Sequence, residues 1–418
     1  MKMRQLILLF VLGFFSLNLR AQDTLLLKLL EADNIFLKQN LILLSQQYNI
    51  DVKDALILQA KAYPNPIFSA DVNAYDPSNN RMFHVNQTGQ KAFAIEQIIV
   101  LGGKRRVEID MAKQNKQIAE AEFSEMLRNL KLQLHNTFYT LHQLSVVIQN
   151  YSHQLKILDT IINSYQYQAD LGNIPVKDVI RLKSVYLKIN TERSALSFSF
   201  VDEMKKMQLL LQNSNYVLPQ IEKTVFDTYS SDFKSYDDFL ILAMQNRPDL
   251  KIAEGDNALA MLNYTLQKKM MIPDVTINAS YDQRGGAFNN QWNTGISIPL
   301  PVWNQNRGNI KAAEADKKSA ELYLEHKKLE VQTDVQAARQ NMLRSIEEYQ
   351  KIKLLYTKDF ESVFEGVNEN FQKRNITILE FVDFFEAYNE SIREFERIKT
   401  QLAISAGQIN CVTASPIY

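Results

Sequence analysis

The sequence predicts a mostly α-helical chain with a small β part, built as two copies of one unit. Three observations predict it. Glycine is scarce, at 12 of 418 residues, and there are only 10 prolines; about 3% glycine compares with a usual ~7%. These few breakers leave four long clear stretches, 104–171, 176–218, 309–365 and 367–406. Between the stretches lie four short segments in which apolar and polar residues alternate. With 46% apolar and 22% charged residues the chain is too apolar for disorder, so the clear stretches are helices.

The N-terminus comes first. Met1–Arg4 is basic, Leu6–Phe15 is an apolar run broken only by Gly13, and Ala21 precedes Gln22. A basic start, a short apolar stretch and a small residue make an export signal over 1–21. The run is too short to span ~30 Å of hydrocarbon, and the sequence holds no later apolar stretch of membrane-spanning length.

The two halves follow, 22–215 and 216–418. Leu171-Gly172-Asn173-Ile174 aligns with Lys373-Arg374-Asn375-Ile376 at an offset of 202. Asp178 then matches Glu380 and Tyr186 matches Tyr388. Gln39-Asn40 and Gln245-Asn246 precede corresponding helices. A period this long marks an internal duplication and not a solenoid of short repeats.

The first long helix has a coiled-coil seam. Leu127, Leu134, Leu141, Ile148, Leu155, Ile162 and Ala169 recur every seventh residue. Leu130, Thr137, Leu144, Tyr151, Leu158 and Tyr165 fall three residues after the first six. A 3.5-residue repeat means left-handed supercoiling. The clear stretch would span ~100 Å as helix. The second-half helix carries a looser stripe, with Met342, Ile346, Tyr349, Tyr356, Phe360, Val363 and Val367.

Strands are expected near 66–75, 91–101, 273–282 and 292–301. Phe68, Ala70 and Val72 alternate with Ser69, Asp71 and Asn73; Val275, Ile277, Ala279 and Tyr281 alternate with Thr276, Asn278, Ser280 and Asp282. Ten alternating residues suit a tilted membrane strand. Trp292 or Trp303 suits a membrane boundary. Four strands cannot close a barrel, and an open edge in lipid leaves backbone groups unpaired. Two copies would supply eight strands, too few for a lumen; three would supply twelve. The competing reading is a soluble periplasmic coiled-coil scaffold without channel activity.

Other classes are poorly supported. Charges balance at 47 Lys+Arg against 47 Asp+Glu, which gives no nucleic-acid footprint. One cysteine, Cys411, excludes an internal disulfide framework or a multi-cysteine metal site. His135 and His142 stand about 10 Å apart along a helix, too far for one metal. Gly103-Lys104 lacks the rest of a phosphate loop. No nucleophile–base or metal constellation appears, so no enzyme, cofactor or metal site is expected.

Four motifs stand out in order along the chain: Tyr63-Pro64-Asn65-Pro66, Leu101-Gly102-Gly103-Lys104-Arg105, Asn246-Arg247-Pro248-Asp249-Leu250 and Pro299-Leu300-Pro301-Val302-Trp303-Asn304. In order and spacing they resemble the TolC family of outer-membrane efflux proteins. The resemblance covers essentially the whole mature chain. It implies a homotrimer with a 12-stranded transmembrane β-barrel, four strands per protomer, and a periplasmic α-barrel of duplicated coiled-coil helices. It implies a passive exit duct in the outer membrane of a Gram-negative bacterium, serving tripartite efflux or type I secretion. Its partners would be a periplasmic adaptor, an inner-membrane transporter of RND or ABC type, and outer-membrane lipid. Motif matching places an acidic aperture at Glu380 and Asp383, with Asp178 equivalent in the first half. Family members tie that last acid to an aromatic hydroxyl and an arginine; Phe371 and Ile376 hold those places here, with Lys373 and Arg374 as candidate substitutes. The adaptor would meet two tips, Leu171, Gly172 and Asn173, and Lys373, Arg374 and Asn375. The exported substrate is not legible.

Overall fold

A computed structural model describes residues 24–222, 224–229, 234–285, 287–355 and 359–418. The export signal at 1–21 and Tyr356 of the second stripe lie outside the described residues. In chain order the elements are β1 (Thr24–Leu27), α1 (Leu29–Gln39), α2 (Leu41–Lys61), β2 (Ile67–Val72), β3 (Tyr75–Asp76), β4 (Arg81–Met82), β5 (Gln90–Ile99), α3 (Lys104–Asp170), α4 (Val176–Leu211), β6 (Tyr216–Pro219), α5 (Val225–Thr228), α6 (Tyr236–Asn246), α7 (Pro248–Lys269), β7 (Val275–Arg284), β8 (Phe288–Ser297), α8 (Arg307–Leu355), α9 (Asp359–Gln372) and α10 (Ile378–Thr413). The chain divides into two compact units, and each draws on both halves of the sequence. One is Ser45–Ser124 with Pro248–Glu330; the other is Met1–Leu44, Glu125–Arg247 and Val331–Tyr418.

The first unit holds a four-stranded antiparallel sheet in the order β2-β5-β7-β8. The expected hairpins are there, and β5 zips to β7 across ten residue pairs, from Gln90–Arg284 to Ile99–Val275. The half-chains therefore share one sheet. Three boundaries differ from expectation. β2 has six residues and not ten, because the chain after Val72 folds into the β3–β4 hairpin. β7 runs on to Arg284 through an irregularity that pairs it with Phe288. β8 ends at Ser297 because Pro299 and Pro301 have no N–H to give a ladder.

Below the sheet the two halves are clasped at the strand–helix junctions. Lys104 Nζ lies 2.8 Å from Asp274 Oδ1, and the Leu101 N–H donates to the same oxygen at 2.9 Å. Lys269 Nζ donates to the Gly102 carbonyl at 2.8 Å. Gly102 has φ +72°, and a Cβ there would stand 2.9 Å from the Ile272 Cδ1 atom. Only glycine suits both demands. Arg105 lies 3.7 Å above the Tyr63 ring. Two of the motifs that carry the family resemblance, Tyr63–Pro66 and Leu101–Arg105, thus have a structural job at these turns.

The second unit is a helical bundle with a small parallel ladder of β1 on β6. The seam on α3 is real: Leu134, Leu141, Leu144, Tyr151, Leu155, Leu158 and Ile162 are buried. Of these, Tyr151, Leu155, Leu158 and Ile162 pack with Leu182, Val185 and Ile189 of α4 and with Phe381, Phe385, Tyr388 and Ile392 of α10. Burial every three and four residues is the packing expected of left-handed coils. Gly366 does not break its helix; α9 runs through it to Gln372.

Candidate functional site

The sheet has two chemically distinct faces, and strand pairing assigns every residue to one of them. Successive residues alternate sides while paired residues share one. Phe68, Ala70 and Val72 therefore share a face with Phe93, Ile95, Ile99, Val275, Ile277, Ala279, Tyr281, Trp292, Thr294 and Ile296. The other face carries Ser69, Asp71, Gln90, Ala92, Ala94, Glu96, Thr276, Asn278, Ser280, Asp282, Arg284, Gln291, Asn293, Gly295 and Ser297, with Ile67 and Ile98 at its helix-side end. On the apolar face Phe68, Phe93, Tyr281 and Trp292 form a ladder across all four strands, with neighbouring centroids 6.3, 6.2 and 5.4 Å apart. These rings are poorly covered: Phe68 is 68% exposed and Trp292 76%. Lys91 and Gln283 stand in the next layer above the ladder. The ten residues of β5, Gln90–Ile99, make nine steps that rise ~30 Å, enough for the apolar band of a membrane barrel.

The outer end of this sheet is tightly held. His84 is buried between Asp76 Oδ2 at 2.7 Å and Thr88 Oγ1 at 3.1 Å. Gln283 donates to the Asn86 carbonyl at 2.6 Å. Hydrogen bonds from Asn79 and then His84 pull Asp76 down to about 2.

The helical unit presents two turns that superpose in hydrogen bonding at the predicted offset. Gly172 N–H donates to Ala169 O at 2.9 Å and Arg374 N–H to Phe371 O at 3.0 Å. Asn173 N–H reaches Gln168 O, and Asn375 N–H reaches Asn370 O, both at 2.9 Å. Each asparagine also ties its carboxamide to the side chain five residues back, at 2.9 and 3.0 Å. Gly172 and Arg374 both take left-handed φ, +76° and +62°. The six tip residues named from the sequence are all exposed.

The proposed aperture acids are differently placed. Glu380 is the third helical residue of α10 and closes a capping box: the Thr377 N–H and Oγ both donate to Glu380 Oε2 at 2.7 Å. These bonds hold its carboxyl below the usual range. Asp383 is exposed one turn on, and Asp178 is half-buried in the first turn of α4. Asp178 and Arg374 converge electrostatically on Tyr165, whose hydroxyl the sequence reading overlooked. Burial raises the Tyr165 pKa, Arg374 lowers it and Asp178 raises it. Its ring stacks on Phe371 at 5.4 Å. The heptad position of Tyr165 was its only signal.

Among the described residues no cluster of His, Cys, Asp and Glu could hold a metal. None of their helices is long and apolar enough to cross a membrane, a statement that does not bear on the sheet.

Comparison with known proteins places this geometry. Residues 240–358 match the outer membrane efflux protein family. The cobalt-zinc-cadmium resistance protein CzcC of Cupriavidus metallidurans is 21% identical over 338 residues, covering 80% of this chain and 77% of that protein. Two solved channels share the fold. CusC gives a TM-score of 0.75 at 14% identity, over 93% of this chain and 92% of its own. VceC of Vibrio cholerae gives 0.72 at 14% identity, over 93% and 97%. Residues 240–358 thus carry an outer membrane efflux protein domain, and the chain folds like the channels CusC and VceC along nearly its whole length.

Proposed function

We propose that three copies join their sheets into one 12-stranded barrel and that the assembly is the passive exit duct of a tripartite pump. The observation that carries this is the sheet itself. β2 and β8 are both edges, and the apolar face is exposed across all four strands. Free edges in hydrocarbon cost several kcal/mol per unpaired backbone group, so β8 of one copy must meet β2 of the next. Three repetitions close the ring and leave the polar face inward. The halves 22–215 and 216–418 are read as descendants of one duplicated unit.

The duct does no covalent chemistry in this reading; an inner-membrane transporter of RND or ABC type supplies the work through a periplasmic adaptor. The adaptor meets the exposed tips at Leu171–Asn173 and Lys373–Asn375. Glu380, Asp383 and Asp178 surround the periplasmic mouth, where three copies would present six carboxylates from Glu380 and Asp383 alone. A narrow ring of this kind favours cations. CzcC is named for cobalt, zinc and cadmium resistance, so divalent cations are the first substrates to test. The test is conductance of the purified protein in planar bilayers together with alkali washing of membranes. Discrete channels from alkali-resistant protein support the duct. Protein released by alkali and silent in bilayers supports the soluble scaffold.

A further inference from the structure

The polar face of the sheet carries charges that the mouth does not explain. Per chain it holds three carboxylates, Asp71, Glu96 and Asp282, on three strands. Its one cation is Arg284, whose Nε lies 3.3 Å from Asp282 Oδ2. Lys91, the other basic residue of this four-stranded sheet, belongs to the apolar face. The net wall charge is therefore about −2 per chain, set by Asp71 and Glu96. Asp71 lies level with Ala92, Asp282 and Gln291; Glu96 lies level with Ile67, Asn278 and Gly295. Between these two levels sit Ser69, Ala94, Ser280 and Asn293. The intervening side chains are short and uncharged, and they neither neutralise the acids nor fill the interior. Gly295 sharpens the point: a Cβ there would stand 2.7 Å from Asn278 Oδ1, so even an alanine would crowd this wall.

Size decides whether such charges act on the whole lumen. Twelve strands 4.8 Å apart and tilted about 40° give a backbone radius of about 12 Å. One layer of side chains, about 5 Å deep, leaves about 7 Å of clear radius. The Debye length at 0.15 M salt is about 8 Å. The field of the wall thus reaches the axis at physiological ionic strength and is confined to the wall at 1 M, where the length falls to about 3 Å.

We propose that Asp71 and Glu96 make the β-barrel a second charge filter, selecting cations over anions at the membrane level, independently of the helical mouth. This rests on the 12-stranded reading above. The experiment is the reversal potential of the full mature protein in planar bilayers across a KCl gradient, at low salt and at 1 M. The unsubstituted channel is expected to prefer potassium over chloride, and to lose much of that preference at 1 M. The pair Asp71→Asn with Glu96→Gln should cut the low-salt permeability ratio by about twofold or more, while Arg284→Gln should raise it. These side chains lie on the polar face, and the paired shifts in opposite directions cannot both come from misfolding. A ratio unmoved by either substitution would overturn the proposal. So would a ratio that falls only on Glu380→Gln with Asp383→Asn. Unsubstituted protein without channels would remove the barrel reading, and the filter with it.

Discussion

The two helical turns share one backbone and the pair Asn173-Ile174 or Asn375-Ile376, and differ in the side chains around it. In the first, Gly172 supplies the left-handed residue and Pro175 precedes the next helix. In the second, Arg374 takes the same strained φ and Thr377 caps the helix with its side chain. Ala169 of the first corresponds to Phe371 of the second, which is fully buried and stacked on Phe381 at 4.1 Å. The first turn is held by backbone preference and the second by packing and capping. One turn geometry is thus built from two chemistries, which leaves Lys373 and Arg374 to offer charge where Leu171 and Gly172 offer none.

The largest test of that contrast is Phe371→Ala. Losing a buried aromatic costs about 3–5 kcal/mol. Hydrogen exchange should accelerate across 369–381, while 167–179 stays as it was. Exchanging the left-handed residues comes next. Gly172→Arg is expected to cost about 1–2 kcal/mol, since an L-residue pays for αL and nothing lies within 4 Å of the Cβ to compensate. Arg374→Gly should be neutral or stabilising by comparison. A loss of stability there would mean that the guanidinium holds the turn through its neighbours at Tyr165.

Thr377→Ala should cost about 1 kcal/mol by removing the cap, with Pro175→Ala costing less. The smallest effect is in pH. The folded Glu380 carboxyl sits below its ordinary 4.5 because Thr377 bonds its charged form. Its contribution is therefore present above pH ~4.5 and is lost as pH falls through the lower folded value. In an NMR titration, Thr377→Ala should return Glu380 toward the ordinary range. An unchanged titration would show that the capping box does not bind its charge.

Much of this architecture was legible because it follows from periodicity. The heptads of α3, the alternation of Val275–Tyr281 and the 202-residue offset each report a local geometry. Pairings between distant segments left no such mark. The β1–β6 ladder joins Thr24–Leu27 to Tyr216–Pro219 through four residues a side, too few to show a period. The ten-pair zipper of β5 on β7 was equally invisible, since each strand alone fits either a hairpin or a shared sheet. At the turns, the sequence located the acids but not their bonds. Glu380 three residues after Thr377 spells a capping box, and the resemblance drew the eye to the pore instead. Tyr165 was read as a seam position and is also the group on which Asp178 and Arg374 converge.

The central claim is that open sheet edges close between copies, and the mass of the assembly tests it most directly. Protein extracted by detergent from washed outer membranes, corrected for bound detergent, should weigh as three chains. A monomer that never enters the membrane fraction would contradict the barrel and return the protein to the periplasmic scaffold.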